Sequence, residues 1–572
     1  MYCKNVTSAI FYDSPSSSWM EMFDLIELHE AETAAELKPV LDKVEMASKH
    51  GHFAIGYVSY EAANGLDDSL SHQPKGDYPL AMFAEFQKPR AIDLSEEIQA
   101  VKLRATVEKN SFIESIGTIK EHLEKGDIYQ VNFTHQLVGD CCETPRSVFA
   151  KLIAAQPTRY GVFFETENFA ICSASPELFF SLKDGDLEMR PMKGTCKRGR
   201  YLSEDARYKA ELRSSEKDRA ENLMILDMVR NDLGRICIPG SIKTSKLFDI
   251  QKLPTVWQQT STVCGKTDAS LAEVFSATFP CASVTGAPKI KSMEIISDLE
   301  KSARGVYTGT LGYVKPNREA SFNVAIRTMV INKVSRRASY GVGGGIVWDS
   351  NAESEWEESL LKAKLLEFPT RSFELFETMR YDPKEGVYLL EEHISRLRAS
   401  SEYFSWPFEE NVARNLLMSI KSDEALRIKL VMSLNGEFKI ETSTLPDFGA
   451  LVRLKLAKRP IDSKNIFLFH KTTHRKVYEE AKKGTKECDD VILFNEKNEL
   501  TETTIANLYV EMCGKLVTPP LDCGLLPGAL RASMLSKRKA SERVLYKEDL
   551  VSAKHIYIGN SLRGLQKAIL CF

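Results

Sequence analysis

Between Met189 and Gly234 a lysine that is hard to pack away is followed by a long amphipathic helix, and this pairing restricts the first part of the chain more than any other feature. Lys193 stands in Met189-Arg190-Pro191-Met192-Lys193-Gly194-Thr195, with a proline stiffening one side and a glycine freeing the other. Such a lysine is expected to be presented from a loop. About two dozen residues later, Lys217 to Gly234 carries Leu223, Leu226, Met228, Val229 and Leu233 near helical spacing, with Gly234 placed to end the helix. Taken singly, the two pieces read as a solvated helix behind a surface lysine.

At 572 residues the chain is too long for one core. Its net charge of -3 gives no basic footprint for nucleic acid or an anionic membrane, which leaves small-molecule chemistry as the default. The N-terminus lacks a long apolar core, and no later run approaches the roughly 20 apolar residues of a membrane span. A cytoplasmic protein is expected. The 12 cysteines are scattered and form no CxxC pair, which suits free thiols better than a zinc site or a disulfide framework.

Ala31 to His50 reads as helix and Phe53 to Tyr60 as strand. Ser111 to Lys125 is a second helix, followed by a strand from Ile128 to Leu137 that puts Gln130, Asn132 and Thr134 on one face. Glu177 follows Pro176 at a strand start, where burial would let it act as a general acid. Glu355, Glu358 and Lys362 lie at i, i+3 and i+7, on one face of a helix. Together with Glu221 these carboxylates suit Mg²⁺, although Glu358 and Lys362 read equally as a surface ion pair. Arg327, ending the strand Phe322 to Ile326, can clamp a carboxylate through both arms. Gly341 to Gly345 has no surrounding βαβ unit, so a dinucleotide loop is rejected.

After Phe368-Pro369-Thr370 the pattern changes. Phe373 to Arg380 opens a strand, Glu392 to Leu397 lies on a helix bearing Arg396, and the apolar run Ile466 to Phe469 reads as a strand leading to Lys471. Glu502 precedes the strand Leu508 to Val510, and Leu526-Pro527-Gly528-Ala529 opens a helix.

Pro191 to Thr195 with the Glu221 helix resembles the signature of the chorismate-binding enzymes, which comprise anthranilate, aminodeoxychorismate, isochorismate and salicylate synthases. Gly126 to Asn132, Ser175 to Phe179, Ser283 to Lys289, and Gly343 to Ile346 leading into Glu355 to Glu358 resemble the same family in the same order. The resemblance implies Glu177 as acid and Glu221, Glu355 and Glu358 as Mg²⁺ residues. It implies Gln130, Thr285, Gly286, Tyr307, Gly309, Arg327, Gly343, Gly344 and Lys362 as substrate-binding positions. Gln130 stands where water-adding members carry a lysine base, and glutamine cannot abstract a proton. Lys193 stands where anthranilate synthases carry a small residue and aminodeoxychorismate synthases carry lysine, so it is expected to attack the ring at C2. Neutralising a substrate carboxylate is its other reading. Val256 to Gln259 lacks the histidine that family members often have there.

The later stretches resemble the class IV pyridoxal-phosphate enzymes, among them aminodeoxychorismate lyase. The resemblance implies Lys471 as the lysine that bonds pyridoxal 5'-phosphate and shuttles the proton, and Glu502 as partner of the pyridine nitrogen. Arg396, Gly528, Ala529, Asn560 and Ser561 are implied as its phosphate side. The opening strands usual in that family are missing before Phe376.

The expected fold is α+β. A large antiparallel sheet domain over residues 1–368 is followed by a smaller D-amino-acid-aminotransferase-like α/β domain over 372–572. The implied reactions make aminodeoxychorismate from chorismate and ammonia, then 4-aminobenzoate by loss of pyruvate. No Gly-x-Cys-x-Gly turn is present, so ammonia is expected from a separate glutamine amidotransferase subunit. The alternative is an anthranilate synthase fused to a class IV aminotransferase. The reading leaves room for a homodimer through the second domain.

Overall fold

The period-two run after Gly126 forms the strand Gln130–Asp140, which pairs antiparallel with Arg337–Ile346 throughout the computed structural model. Residues 5–94, 101–363, 373–483 and 488–571 are described, so the expected boundary at 368–372 lies outside them. The chain divides into two units, Met1–Lys197 with Lys209–Thr370, and Arg198–Tyr208 with Arg371–Phe572.

Among the described residues of the first unit every strand pairing is antiparallel, as expected. The helices Ala34–Lys49, Lys109–Glu124 and Glu216–Gly234 stand close to their expected places. In the last, Ser215 caps the first turn by accepting from the Asp218 N–H at 3.2 Å. Its buried face is Ile225, Leu226, Val229 and Leu233, which join Phe179, Phe275 and Phe279 in one core cluster. Leu223, expected on that face, is exposed, because the buried stripe runs through 225 and 226 instead.

Lys193 is not in a loop. Met192–Lys197 is a strand paired with Val256–Lys266, and its register shifts between Met192 and Thr195. Lys193 and Gly194 are the residues left unpaired by that bulge, and Gly194 sits at φ 88, a conformation that favours glycine.

The second unit holds two sheets. Leu375–Asp382, Gly386–Val387, Leu426–Met432 and Phe438–Thr444 form a four-stranded antiparallel sheet, covered by the helices Leu390–Phe404 and Glu410–Met418. An eight-stranded mixed sheet includes Leu451–Leu456, which runs parallel to both Asp490–Phe494 and Gly564–Leu570. Ile466 to Phe469 is a turn rather than a strand: Ile466–Leu468 is a short 3-10 segment, and Asn465 accepts from the Phe467 N–H at 3.0 Å. The apolar run is buried by packing, which a strand and a tight turn achieve equally well.

Residues 198–208 also belong to this unit, unlike the expected division. Arg198 forks the Asp205 carboxylate with two bonds of 2.7 Å and donates to the Tyr403 carbonyl at 3.0 Å. The Tyr403 hydroxyl donates to the Gly199 carbonyl at 2.7 Å, and His470 Nε2 lies 3.1 Å from the Arg200 carbonyl.

Candidate active sites

The bulge turns Lys193 into a cavity of about 350 Å³ in the first unit, whose wall also includes Glu177, Glu221, Glu355, Glu358, Tyr307, Arg327, Gly343, Gly344 and Lys362. Its backbone is held from behind. Asn222 donates to the Lys193 carbonyl at 3.1 Å and accepts from Ser261 at 2.5 Å. Gln258 donates to the Gly194 carbonyl at 2.9 Å and accepts from Thr195 at 2.8 Å. Gln258, in the stretch that lacks the histidine family members often have, braces the bulge. Burial lowers the Lys193 ammonium, with Glu221 working against that shift. A larger neutral fraction favours its use as a nucleophile.

Glu177 is 3% exposed. Burial pushes its carboxyl up to about 7, although Ser283 donates to Oε1 at 2.6 Å and the Met192 N–H reaches the same oxygen at 3.3 Å. Near neutrality about half of it therefore carries the proton that a general acid must give. Ser283 was visible in the motif Ser283 to Lys289 but not as the residue that orients this acid.

Glu221, Glu355 and Glu358 also line the cavity. Burial raises Glu221 and Glu355, and Ser350 anchors Glu355 at 2.7 Å. Lys362, 2.9 Å away, lowers Glu358. The Glu358–Lys362 ion pair forms, and both residues line the cavity. Lys362 also donates to the Gly343 carbonyl at 2.7 Å, and Arg327, at φ 52, donates to the Lys362 carbonyl. The three carboxylates do not draw within 4.8 Å of one another as a set. This all-oxygen, open donor set fits a hard ion that keeps several waters, as Mg²⁺ does.

Four expected substrate residues lie outside the cavity wall. Gln130 is fully buried with neither side-chain atom hydrogen-bonded. Thr285 turns its hydroxyl to the Cys281 carbonyl at 3.2 Å, and Gly286 pairs with Val131. A Cβ on Gly309 would stand 2.3 Å from the Val58 carbonyl, so that glycine serves close strand packing.

In the second unit a cavity of about 490 Å³ brings together Arg396, Lys471, Glu502, Gly528, Ala529, Asn560 and Ser561. Burial, aided by Arg396, lowers Lys471 to about 7, and its ammonium lies 4.7 Å from the Phe376 ring centroid. Burial raises Glu502 to about 7, while Tyr478 donates to its Oε1 at 2.8 Å and Asn507 to its Oε2 at 3.2 Å. A Cβ on Gly528 would fall 1.9 Å from Asn507 Oδ1, so only glycine lets the helix Ala529–Ser536 begin there.

Three of the expected phosphate residues are already engaged. Glu377 forks Arg396 at 2.9 and 2.5 Å and takes His393 at 2.6 Å, and these partners hold it at about 2 despite its burial. Asn560 spends its side chain on the Ile505 carbonyl and on the Leu562 and Arg563 N–H groups. Ser561 donates to the Thr378 carbonyl at 3.3 Å. A lysine near neutrality, a buried acid and a glycine-opened helix fit pyridoxal phosphate. Sequence reasoning missed Glu377, Tyr478, Asn507 and the cations Arg427, Lys429, Arg475 and Arg563 that also face the cavity. Arg427 and Lys429, two apart on one strand, were the readable signal.

Residues 84–367 match the family described as chorismate binding enzyme, and residues 374–569 match amino-transferase class IV. A probable aminodeoxychorismate synthase of Oryza sativa subsp. japonica is 39% identical over 291 residues, 49% of this chain and 32% of that protein. The chain thus spans about a third of that relative. Aminodeoxychorismate synthase component 1 of Bacillus subtilis is 31% identical over 63% of this chain and 75% of its own length. Anthranilate synthase component 1 of Saccharolobus solfataricus is 34% identical over 54% of this chain and 79% of its own. The solved anthranilate synthase component I of Streptococcus pneumoniae TIGR4 shares the fold, with a TM-score of 0.52 at 23% identity over 64% of this chain and 91% of that one. Among the described residues no helix is long and apolar enough to cross a membrane. The chain belongs to the chorismate-binding enzymes, with a class IV aminotransferase domain as its second part.

Proposed function

We propose that the first unit makes 4-amino-4-deoxychorismate from chorismate and ammonia, and that the second removes pyruvate from it to leave 4-aminobenzoate. The observation that carries this reading is Lys193, bulged into a cavity that also holds a buried acid and three Mg²⁺-type carboxylates. Neutral Lys193 attacks ring C2 as the C4–O bond breaks, and Glu177 gives its proton to the departing hydroxyl, which leaves as water. Ammonia then bonds to C4 as the C2–Nζ bond breaks and Lys193 is released. Mg²⁺ held by Glu221, Glu355 and Glu358 would take a substrate carboxylate, with Arg327 and Lys362 as the cationic side of the site.

Pyridoxal phosphate, when bound in the second unit, supplies an electron sink. Lys471 would hold it and would take the proton from ring C4. Glu502 would pair with its ring nitrogen. A glutamine amidotransferase subunit as ammonia source and a cytoplasmic location belong to the same reading. Relatives named for anthranilate synthase keep that product as the rival.

Lys193→Ala tests the carrying observation. The variant should still bind chorismate and Mg²⁺ but make no aminodeoxychorismate from ammonium. Synthesis near the wild-type rate would mean that Lys193 is not the nucleophile.

A further inference from the structure

The helix Ala352–Leu361 carries Glu355 and Glu358, two of the three Mg²⁺-type carboxylates, and its one buried residue is Ser359. A helix anchored by a single buried side chain ordinarily uses an apolar one. Here the anchor is polar, and what fixes it is a hydrogen bond. Ser359 Oγ directs its one proton to the Trp356 carbonyl at 2.8 Å. It therefore accepts from Nε2 of His135, 3.0 Å away on the strand Gln130–Asp140. The His135 ring also stacks on the Trp356 indole, with centroids 5.0 Å and planes 17° apart, and Phe112 packs against both rings. His135 is buried, and neither it nor Trp356 nor Ser359 lines the Lys193 cavity.

We propose that His135 is a positioning residue of the Mg²⁺ site: by clasping Trp356 and Ser359 it sets the rotation of their helix, and so where Glu355 and Glu358 stand. This rests on the reading of Glu221, Glu355 and Glu358 as the Mg²⁺ residues. Trp356 and Ser359 each directly follow one of those carboxylates, about 100° round the helix from it. At one end Asn351 caps the first turn by accepting from the Ser354 N–H at 3.0 Å, and at the other Arg327 donates to the Lys362 carbonyl. Those bonds hold the helix along its axis, which leaves rotation about the axis to the clasp. A carboxylate about 6 Å from the axis moves about 1 Å for a rotation of about 10°. That is several times the roughly 0.2 Å within which metal–ligand distances are held. Apolar side chains at 135 and 359 would fill the same space without a preferred angle, whereas an N–H···O bond has one.

Mg²⁺ affinity of the full chain is measured by calorimetry, beside the Mg²⁺ dependence of turnover from chorismate and ammonium. His135→Phe keeps a ring over Trp356 and loses the bond; Ser359→Ala loses it from the other side. Each should weaken Mg²⁺ about 10-fold, the low end of what loss of a supporting partner costs, and raise the Mg²⁺ needed for half-maximal rate to match. The double variant should be no weaker than the singles, because all three lack the same bond. His135→Gln drops the ring but keeps an N–H donor, and it should stay within about 3-fold of wild type. Should His135→Phe fail to fold, Ser359→Ala and His135→Gln decide. Wild-type Mg²⁺ affinity in Ser359→Ala, or as large a loss in His135→Gln as in Ser359→Ala, overturns the proposal. Absence of Mg²⁺ binding by wild type would instead overturn the reading of the three carboxylates on which it rests.

Discussion

Gly194→Ala isolates the bulge that turns Lys193 into its cavity. At φ 88 an L-residue costs about 1–2 kcal/mol. The new Cβ would also stand 3.0 Å from Asp218 Cβ and 3.3 Å from Gln259 Cβ, so the neighbours must give as well. Gly51 provides the control, because it sits at φ 86 with nothing within 4 Å. Gly51→Ala should lose about 1–2 kcal/mol, seen as a fall in melting midpoint of a few degrees, and Gly194→Ala at least as much. Only Gly194→Ala should lose catalysis. Flattening the bulge slips the strand by one residue and reverses its faces, taking Lys193 out of line with the ring. Misplacement of about 1 Å already costs about 100-fold. The assay is initial-rate formation of aminodeoxychorismate from chorismate, ammonium and Mg²⁺, beside thermal melts of both variants. Equal activity losses for Gly51→Ala and Gly194→Ala, or wild-type activity in Gly194→Ala, would refute the reasoning.

Glu177→Gln should reduce synthesis by about 100-fold or more and abolish any fall in rate between pH 6 and 8 that follows the acid's ionisation at about 7. A carboxyl raised from 4.5 to about 7 by folding favours the native state below 4.5 and loses that contribution as pH rises through 7. Chemical denaturation at pH 8 should therefore find the glutamine variant more stable than wild type, by on the order of 1–3 kcal/mol; a variant less stable at pH 8 than at pH 5 by the wild-type margin contradicts this. Tyr478→Phe removes a 2.8 Å bond to Glu502 and should lower 4-aminobenzoate formation from supplied aminodeoxychorismate about 10-fold without affecting the first reaction. A fragment starting at residue 371 leaves out the Arg198–Asp205 fork and the Tyr403–Gly199 bond, and it should melt several degrees below the second unit of the intact chain. Equal midpoints would show that residues 198–208 contribute nothing there.

Local signals were legible and register was not. The Glu216–Gly234 helix could be read because its apolar spacing and terminal glycine are written within a few turns of chain. The expected loop at Lys193 proved to be a bulged strand, because the bulge exists only relative to Val256–Lys266, some sixty residues away in sequence. The clusters in both cavities were foreseen through whole motifs, and the motifs did not say which member faces inward. Thr285 and Gly286 share a stretch with Ser283, yet Ser283 holds Glu177 while Thr285 bonds back to the Cys281 carbonyl and Gly286 pairs with Val131. Arg396 was expected beside Lys471 without Glu377, because a fork between a strand and a helix leaves no spacing to read. The run Ile466 to Phe469 was misread as strand because its apolarity reports burial and not backbone shape.

The most direct measurement is identification of the products formed by the purified chain from chorismate, ammonium and Mg²⁺ with pyridoxal phosphate. The account expects 4-aminobenzoate and pyruvate in equal amounts, and it expects Lys471→Ala to stop at aminodeoxychorismate with Lys193 chemistry continuing. Anthranilate as the product, or 4-aminobenzoate made by Lys471→Ala at the wild-type rate, would contradict it.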